Sequence, residues 1–204
     1  MEEMKINEDQ MDALQEVANI GASHAATSLS KMVNKDIIIG IPKIKMIPLD
    51  KTFDSVKDKD VIVGILLEIS NEVPISILLL ISKESAFSLA HLLMGDESVK
   101  NNDSLSEIEQ SALMEVSNVM MSSFFDSITE MIGISMIPGP PSFAYDIPEA
   151  IMDFILVKIG EIADEILIFN CDISEKDKES FEVNMFLLPK PQSVKIILER
   201  LGMI

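Results

Sequence analysis

The side chains best equipped for chemistry in this chain are a carboxylate and a carboxamide three residues apart, and they occur twice. The first set lies in Asp12-Ala-Leu-Gln-Glu16-Val-Ala-Asn19 and the second in Ser111-Ala-Leu-Met-Glu115-Val-Ser-Asn118. Glu115 follows Glu16 by 99 residues, Asn118 follows Asn19 by 99, and Pro141 follows Pro42 by the same 99. In an α-helix turning about 100° per residue, positions 12, 16 and 19 fall within a sector of roughly 60°. Asp12, Glu16 and Asn19 therefore share one wet face, with Leu14, Val17, Ala18, Gly21 and Ala25 opposite; Leu113, Val116, Met120 and Phe124 take the matching places in the second set. A carboxamide both donates and accepts, so it can hold a water in line with a phosphoryl group that another molecule presents. The carboxylate can pair with a cation at that molecule's site. With no His, Cys or metal set alongside, the pair is poor equipment for covalent catalysis. Phosphoryl hydrolysis by completing a partner's active site is the chemistry it suits.

A single Glu-x-x-Asn on a helix is usually just a solvated face. Duplication argues against that reading here, because Glu and Asn keep identity and spacing while the buried side changes from Gly21 to Met120 and from Ala25 to Phe124. The copies have had room to drift, as Lys45 against Ala144 and Ala22 against Met121 show. Other constellations are weaker. No glycine-rich phosphate loop is present, and His24, His91 and one cysteine do not make a Cys/His zinc set. Both histidines fall in predicted helices as partly buried residues, and Cys171 falls in an apolar strand as an inert small hydrophobe.

The elements that must position these faces follow from periodicity. A long helix is predicted over 8–33, with Asn7 as N-cap, an end near Asn34, and Gly21, Ala22, Ala25 and Ala26 admitting a close neighbour. Residues 36–49 are β-branched and proline-broken, as on a sheet edge. Residues 50–60 are a polar loop or short helix. Two apolar runs, 61–70 and 73–82, form a buried hairpin around Asn71-Glu72, and a helix over 83–94 ends at Gly95. After a polar boundary at 96–103 the order returns: Ser104 or Ser106 caps a long helix to about Ile132, 133–143 is extended, 148–160 is helical, 165–173 and 181–188 are strands, and 192–201 is a helix. The fold class is α+β, a pseudo-twofold duplication of helix, extended segment, hairpin and helix (repeats at about 8–95 and 104–201). Its strands merge into shared antiparallel sheets in one compact domain over 1–204. Two independent domains of about 100 residues each would have thin cores.

A chain of 204 residues with 48% apolar and 25% charged content can bury such a core. One cysteine and an acidic start, Met-Glu-Glu-Met-Lys, point to the cytoplasm. The most apolar region, 61–82, is interrupted by Glu68, Asn71, Glu72 and Pro74, so membrane insertion is not expected. A net charge of −18 disfavours nucleic acid and suits a basic patch on a protein partner, although most of these carboxylates serve solubility.

The pattern Asp/Ser-x-x-x-Glu-x-x-Asn, followed after 22 residues by Pro, resembles the signature of the CheC, CheX and FliY phosphatases of chemotaxis. The run from Glu16 to Thr27 and the closing Leu188-Pro-Lys-Pro are similar to the CheC type over nearly the full length. Two intact motifs favour that type over CheX, and the absence of an appended flagellar-switch domain disfavours FliY. The resemblance implies a pseudo-symmetric, CheC-like monomer that hydrolyses the aspartyl-phosphate of the response regulator CheY. It implies that Glu16 and Glu115 anchor the regulator through a lysine and that Asn19 and Asn118 orient the attacking water. Asp12, Ser111, Pro42 and Pro141 would support these residues, and the magnesium would belong to the regulator, leaving this chain with no cofactor or metal of its own. It also implies a second partner, the deamidase CheD, held by the segment from about Asp146 to Gly160. The rival reading is a non-catalytic adaptor for CheD and phosphorylated CheY. The family usually has Gly where this chain has Ala18 and Ser117.

Overall fold

The computed structural model describes residues 6–41, 43–48, 51, 54, 60–94, 104–159, 165–176 and 180–204. Pro42, Gly95, Gly160, the polar boundary at 96–103 and most of 50–60 lie outside them, as does the side chain of Cys171.

The chain begins with α1 (Glu8–Val33). Asn7 caps it by accepting from Gln10 N, while the Gln10 side chain accepts from Asn7 N, and Asn34 ends it in the left-handed conformation at φ 53°. The extended segment is two short strands, β1 (Ile37–Ile39) and β2 (Lys43–Pro48). The hairpin β3 (Ile62–Ile69) and β4 (Ile75–Ser82) leads directly into α2 (Lys83–Met94). In the second half Ser106, rather than Ser104, caps α3 (Glu107–Ile132), again with a reciprocal box to Glu109, and Gly133 ends it at φ 70°. Then come β5 (Ser142–Asp146), α4 (Pro148–Ile159), β6 (Glu165–Glu175), β7 (Ser180–Pro189) and α5 (Pro191–Arg200). The second hairpin departs from expectation: its strands run on to Glu175 and start again at Ser180, into what reads from the sequence as a charged loop. Cross-strand pairing on the ladder, Ser174 opposite Ser180, prevails over the local polarity.

All described strands join one antiparallel sheet in the order β1-β6-β7-β4-β3-β5, with β2 also on β6. The halves are interleaved. β1 and β2 of the first half pair with β6 of the second, β5 of the second pairs with β3 of the first, and β4 meets β7 in the middle. Both faces of the central strands are covered, which is why they read as unbroken apolar runs. Val63, Ile65, Leu67, Ile77, Leu79 and Met185 face a core built with α1 and α3, whereas Ile62, Leu66, Leu78, Leu80 and Phe186 face Ile151 and Ile155 of α4.

α1 lies against α3 across this core, and the small residues of α1 set the closeness. A Cβ at Gly21 would lie 2.4 Å from Phe124 Cδ2. Nearby, the Ser123 hydroxyl donates to the Ser28 hydroxyl at 2.7 Å. Among the described residues, no helix is long and apolar enough to cross a membrane.

Candidate functional site

Each long helix turns its buried side to the shared core, and its carboxylate and carboxamide face outward. On α1, Leu14, Val17, Ala18, Gly21 and Ala25 are buried, Asp12 and Glu16 are exposed, and Asn19 is half-buried. On α3, Leu113, Val116, Met120 and Phe124 are buried, Ser111 and Glu115 exposed, and Asn118 half-buried. The structure thus brings Asp12, Glu16 and Asn19 onto one surface and Ser111, Glu115 and Asn118 onto another. Both asparagines are half-buried beside the core and remain reachable from outside. Neither Glu16 nor Glu115 makes an ion pair or side-chain hydrogen bond among the described residues, so each carboxylate is available to a partner's cation.

The positions between Glu and Asn are small for a structural reason. Ala18 is fully buried and Ser117 nearly so, and the Ser117 hydroxyl donates to Leu113 O at 2.7 Å along its own helix. Both residues therefore sit on the buried side of their helices, away from the polar faces. Pro141 is half-buried at the entry to edge strand β5, where a missing N–H costs no ladder bond. Asp146 closes β5; it is exposed, and its Oδ1 accepts from Ile147 N at 2.8 Å beside the start of α4. His24 is exposed rather than partly buried, because α1 turns that position to solvent, and His91 is half-buried.

One residue that the repeat comparison passes over joins the first site. Gln15 Oε1 accepts from Ile44 N at 3.3 Å, and Gln15 Nε2 donates to Asn19 Oδ1 at 3.1 Å. β2 is an edge strand paired on one side with β6, so alternate N–H groups point away from the sheet, and Gln15 satisfies one of them. The place 99 residues on holds Met114, which is why a search for residues kept in both copies does not find Gln15. The available signal was its polarity inside the turn preceding Asn19.

Comparison with known proteins fits this geometry. The CheC-like family model matches residues 10–46 and 108–145, the two helix and edge-strand units that carry the sites. In these two segments the chain is similar to the CheC-like family. It is 25% identical over 201 residues to the CheY-P phosphatase CheC of Bacillus subtilis, covering 97% of this chain and 96% of that protein. Its fold matches the crystal structure of Thermotoga maritima FliY with a TM-score of 0.82 at 21% identity, over 98% of both chains. It also resembles a Borrelia burgdorferi structure, the CheX–CheY–BeF3–Mg2+ complex, with a TM-score of 0.54 at 19% identity, over 83% of this chain and 95% of that one.

Proposed function

We propose that this protein is an aspartyl-phosphate phosphatase whose substrate is a phosphorylated CheY-type response regulator. The observation that carries the reading is the doubled outward face, Glu16 with Asn19 and Glu115 with Asn118, with unpaired carboxylates beside half-buried carboxamides. The kinship to CheC of B. subtilis supports it. In this reading either helix docks on the regulator. Glu16 or Glu115 pairs with a lysine there, and Asn19 or Asn118 enters the regulator's site and holds a water in line with phosphorus. The water oxygen bonds to phosphorus, the bond from phosphorus to the aspartyl oxygen breaks, and the aspartate leaves as a carboxylate with inorganic phosphate as the second product. The magnesium that would neutralise the phosphoryl oxygens would belong to the regulator, and Asp12, Ser111, Pro42 and Pro141 would support the two faces. The protein would act in the cytoplasm as a monomer. Phosphate release from phosphorylated CheY, measured with and without this protein, tests the reading. Acceleration well above the regulator's own decay is the expected result, and an unchanged decay would leave only an adaptor.

A second partner has its own observation. α4 covers the far face of the sheet with Ile151 and Ile155, while Ile147 just before it and Phe154 and Val157 on it are exposed, Val157 by 85%, alongside the exposed acids Asp146, Glu149 and Asp153. An apolar stripe rimmed by charge fits protein docking. In this proposal the stripe takes the deamidase CheD. Val157→Asp should then weaken CheD binding at least tenfold in a titration while phosphate release in the absence of CheD stays unchanged. Equal binding by wild type and variant would remove α4 from that role.

A further inference from the structure

The hydrogen bonds around Gln15 determine which end of the Asn19 carboxamide faces outward. A backbone N–H can only donate, so Ile44 N requires the Gln15 oxygen. That leaves the Gln15 Nε2 end, which can only donate, toward Asn19, and Asn19 must answer with Oδ1. Its NH2 is therefore the end left to face solvent. Edge strand β2 thus dictates, through one side chain, the polarity of a group on α1. Among the described residues, nothing comparable holds the second site. Met114 stands at the equivalent place and its side chain has no N–H to donate, and the Asn118 side chain has no hydrogen-bond partner among the described residues.

We infer that Gln15 is a positioning residue that presets Asn19 for an anionic, phosphoryl-bearing partner, an inference that rests on the phosphatase reading above. An outward NH2 donates to the phosphoryl oxygens and to the attacking water, whereas an outward carbonyl oxygen would oppose the same negative charge. The second lone pair of Oδ1 stays available to accept from the water. Asn19 is ordered before docking, while Asn118 must be ordered during it, and the entropy of fixing a side chain falls on the second site alone.

Three full-length variants, all carrying Asn118→Ala so that only the first site acts, test this with phosphorylated CheY: Gln15 retained, Gln15→Met and Gln15→Glu. Methionine removes the tether. Glutamate still accepts from Ile44 N but cannot donate to Asn19 Oδ1, so it draws the Asn19 NH2 inward and turns the oxygen out. The expected order of kcat is Gln above Met above Glu, with Met lower by about twofold to tenfold and Glu lower still, and with the melting temperature of the Glu variant held near its parent. If Gln15 merely ties α1 to β2, Glu should restore the rate and Met alone should lose it; that order, or equal kcat in all three, overturns the inference. A Gln15 parent no more active than Asn19→Ala with Asn118→Ala also overturns it, while leaving the phosphatase reading to the second site. Failure of the wild type to accelerate phosphate release would remove both.

Discussion

Replacing Asn19 and Asn118 together by alanine is expected to lower stimulated phosphate release from phosphorylated CheY by roughly 100-fold or more, toward the regulator's own decay. Positioning a water in line is most of what the protein contributes in this mechanism, and misplacing a reacting group by about 1 Å can cost roughly that factor. The fold should be indifferent to the change. Both asparagines are only half-buried, alanine is the best helix former, and neither side chain caps an end or fills the core. Circular dichroism and the melting temperature should match the wild type, which separates a lost reaction from a lost structure. The two single variants apportion activity between the sites. Glu16→Ala with Glu115→Ala should act differently, raising KM, since an exposed anchoring charge contributes to docking before it contributes to the chemical step. A double asparagine variant with undiminished phosphate release would end the proposed mechanism for both faces.

Gly21→Val should destabilise the protein by about 3 kcal/mol, at the upper end for overpacking, and lower the melting temperature by about 6–12 °C. The added Cβ would enter the space of the Phe124 ring, with Cδ2, Cε2 and Cγ at 2.4, 2.6 and 3.0 Å. The ring has little room to retreat, because it is buried and packs edge-to-face on Phe125 at 5.2 Å between centroids. A gain in helix propensity over glycine, of order 0.5 kcal/mol for valine, offsets only part of this. Adding Phe124→Leu to Gly21→Val should cost less than the two single changes summed, since the smaller side chain yields the space valine takes. Additive losses in that thermal-melt cycle would mean that the helices do not depend on this contact. Function should follow, because both candidate faces are held outward by the same packing of α1 on α3.

The contact also corrects the meaning of the divergence between the copies. From the sequence, Gly21 against Met120 and Ala25 against Phe124 show only that the buried side has drifted while the Glu and Asn of each pair have not. In the fold the drift is complementary. α1 presents small residues (Ala18, Gly21, Ala22, Ala25) and α3 large ones (Met120, Met121, Phe124, Phe125), so one helix supplies the volume the other lacks. A helix pair near a pseudo-twofold axis is constrained in its total volume, and either partner can provide it.

The sequence alone determined the long helices, the Asn7 cap and the two wet faces, because each depends on residues within a turn or two of one another, as with Asn7 and Gln10 or Glu16 and Asn19; for the second helix it offered Ser104 or Ser106, and the structure selected Ser106. The buried hairpin β3–β4 was legible for the same reason, as two apolar runs a few residues apart. Tertiary structure decided what depends on partners far along the chain. It exchanged the edge strands between the halves, β2 onto β6 and β5 onto β3, and it extended β6 and β7 through polar residues that only cross-strand pairing could order. It also added Gln15 to the first Glu-x-x-Asn face, since the backbone N–H that orients Gln15 belongs to Ile44, 29 residues away on an edge strand. Local periodicity can turn Asn19 outward, but only that distant donor selects which end of its carboxamide meets a partner.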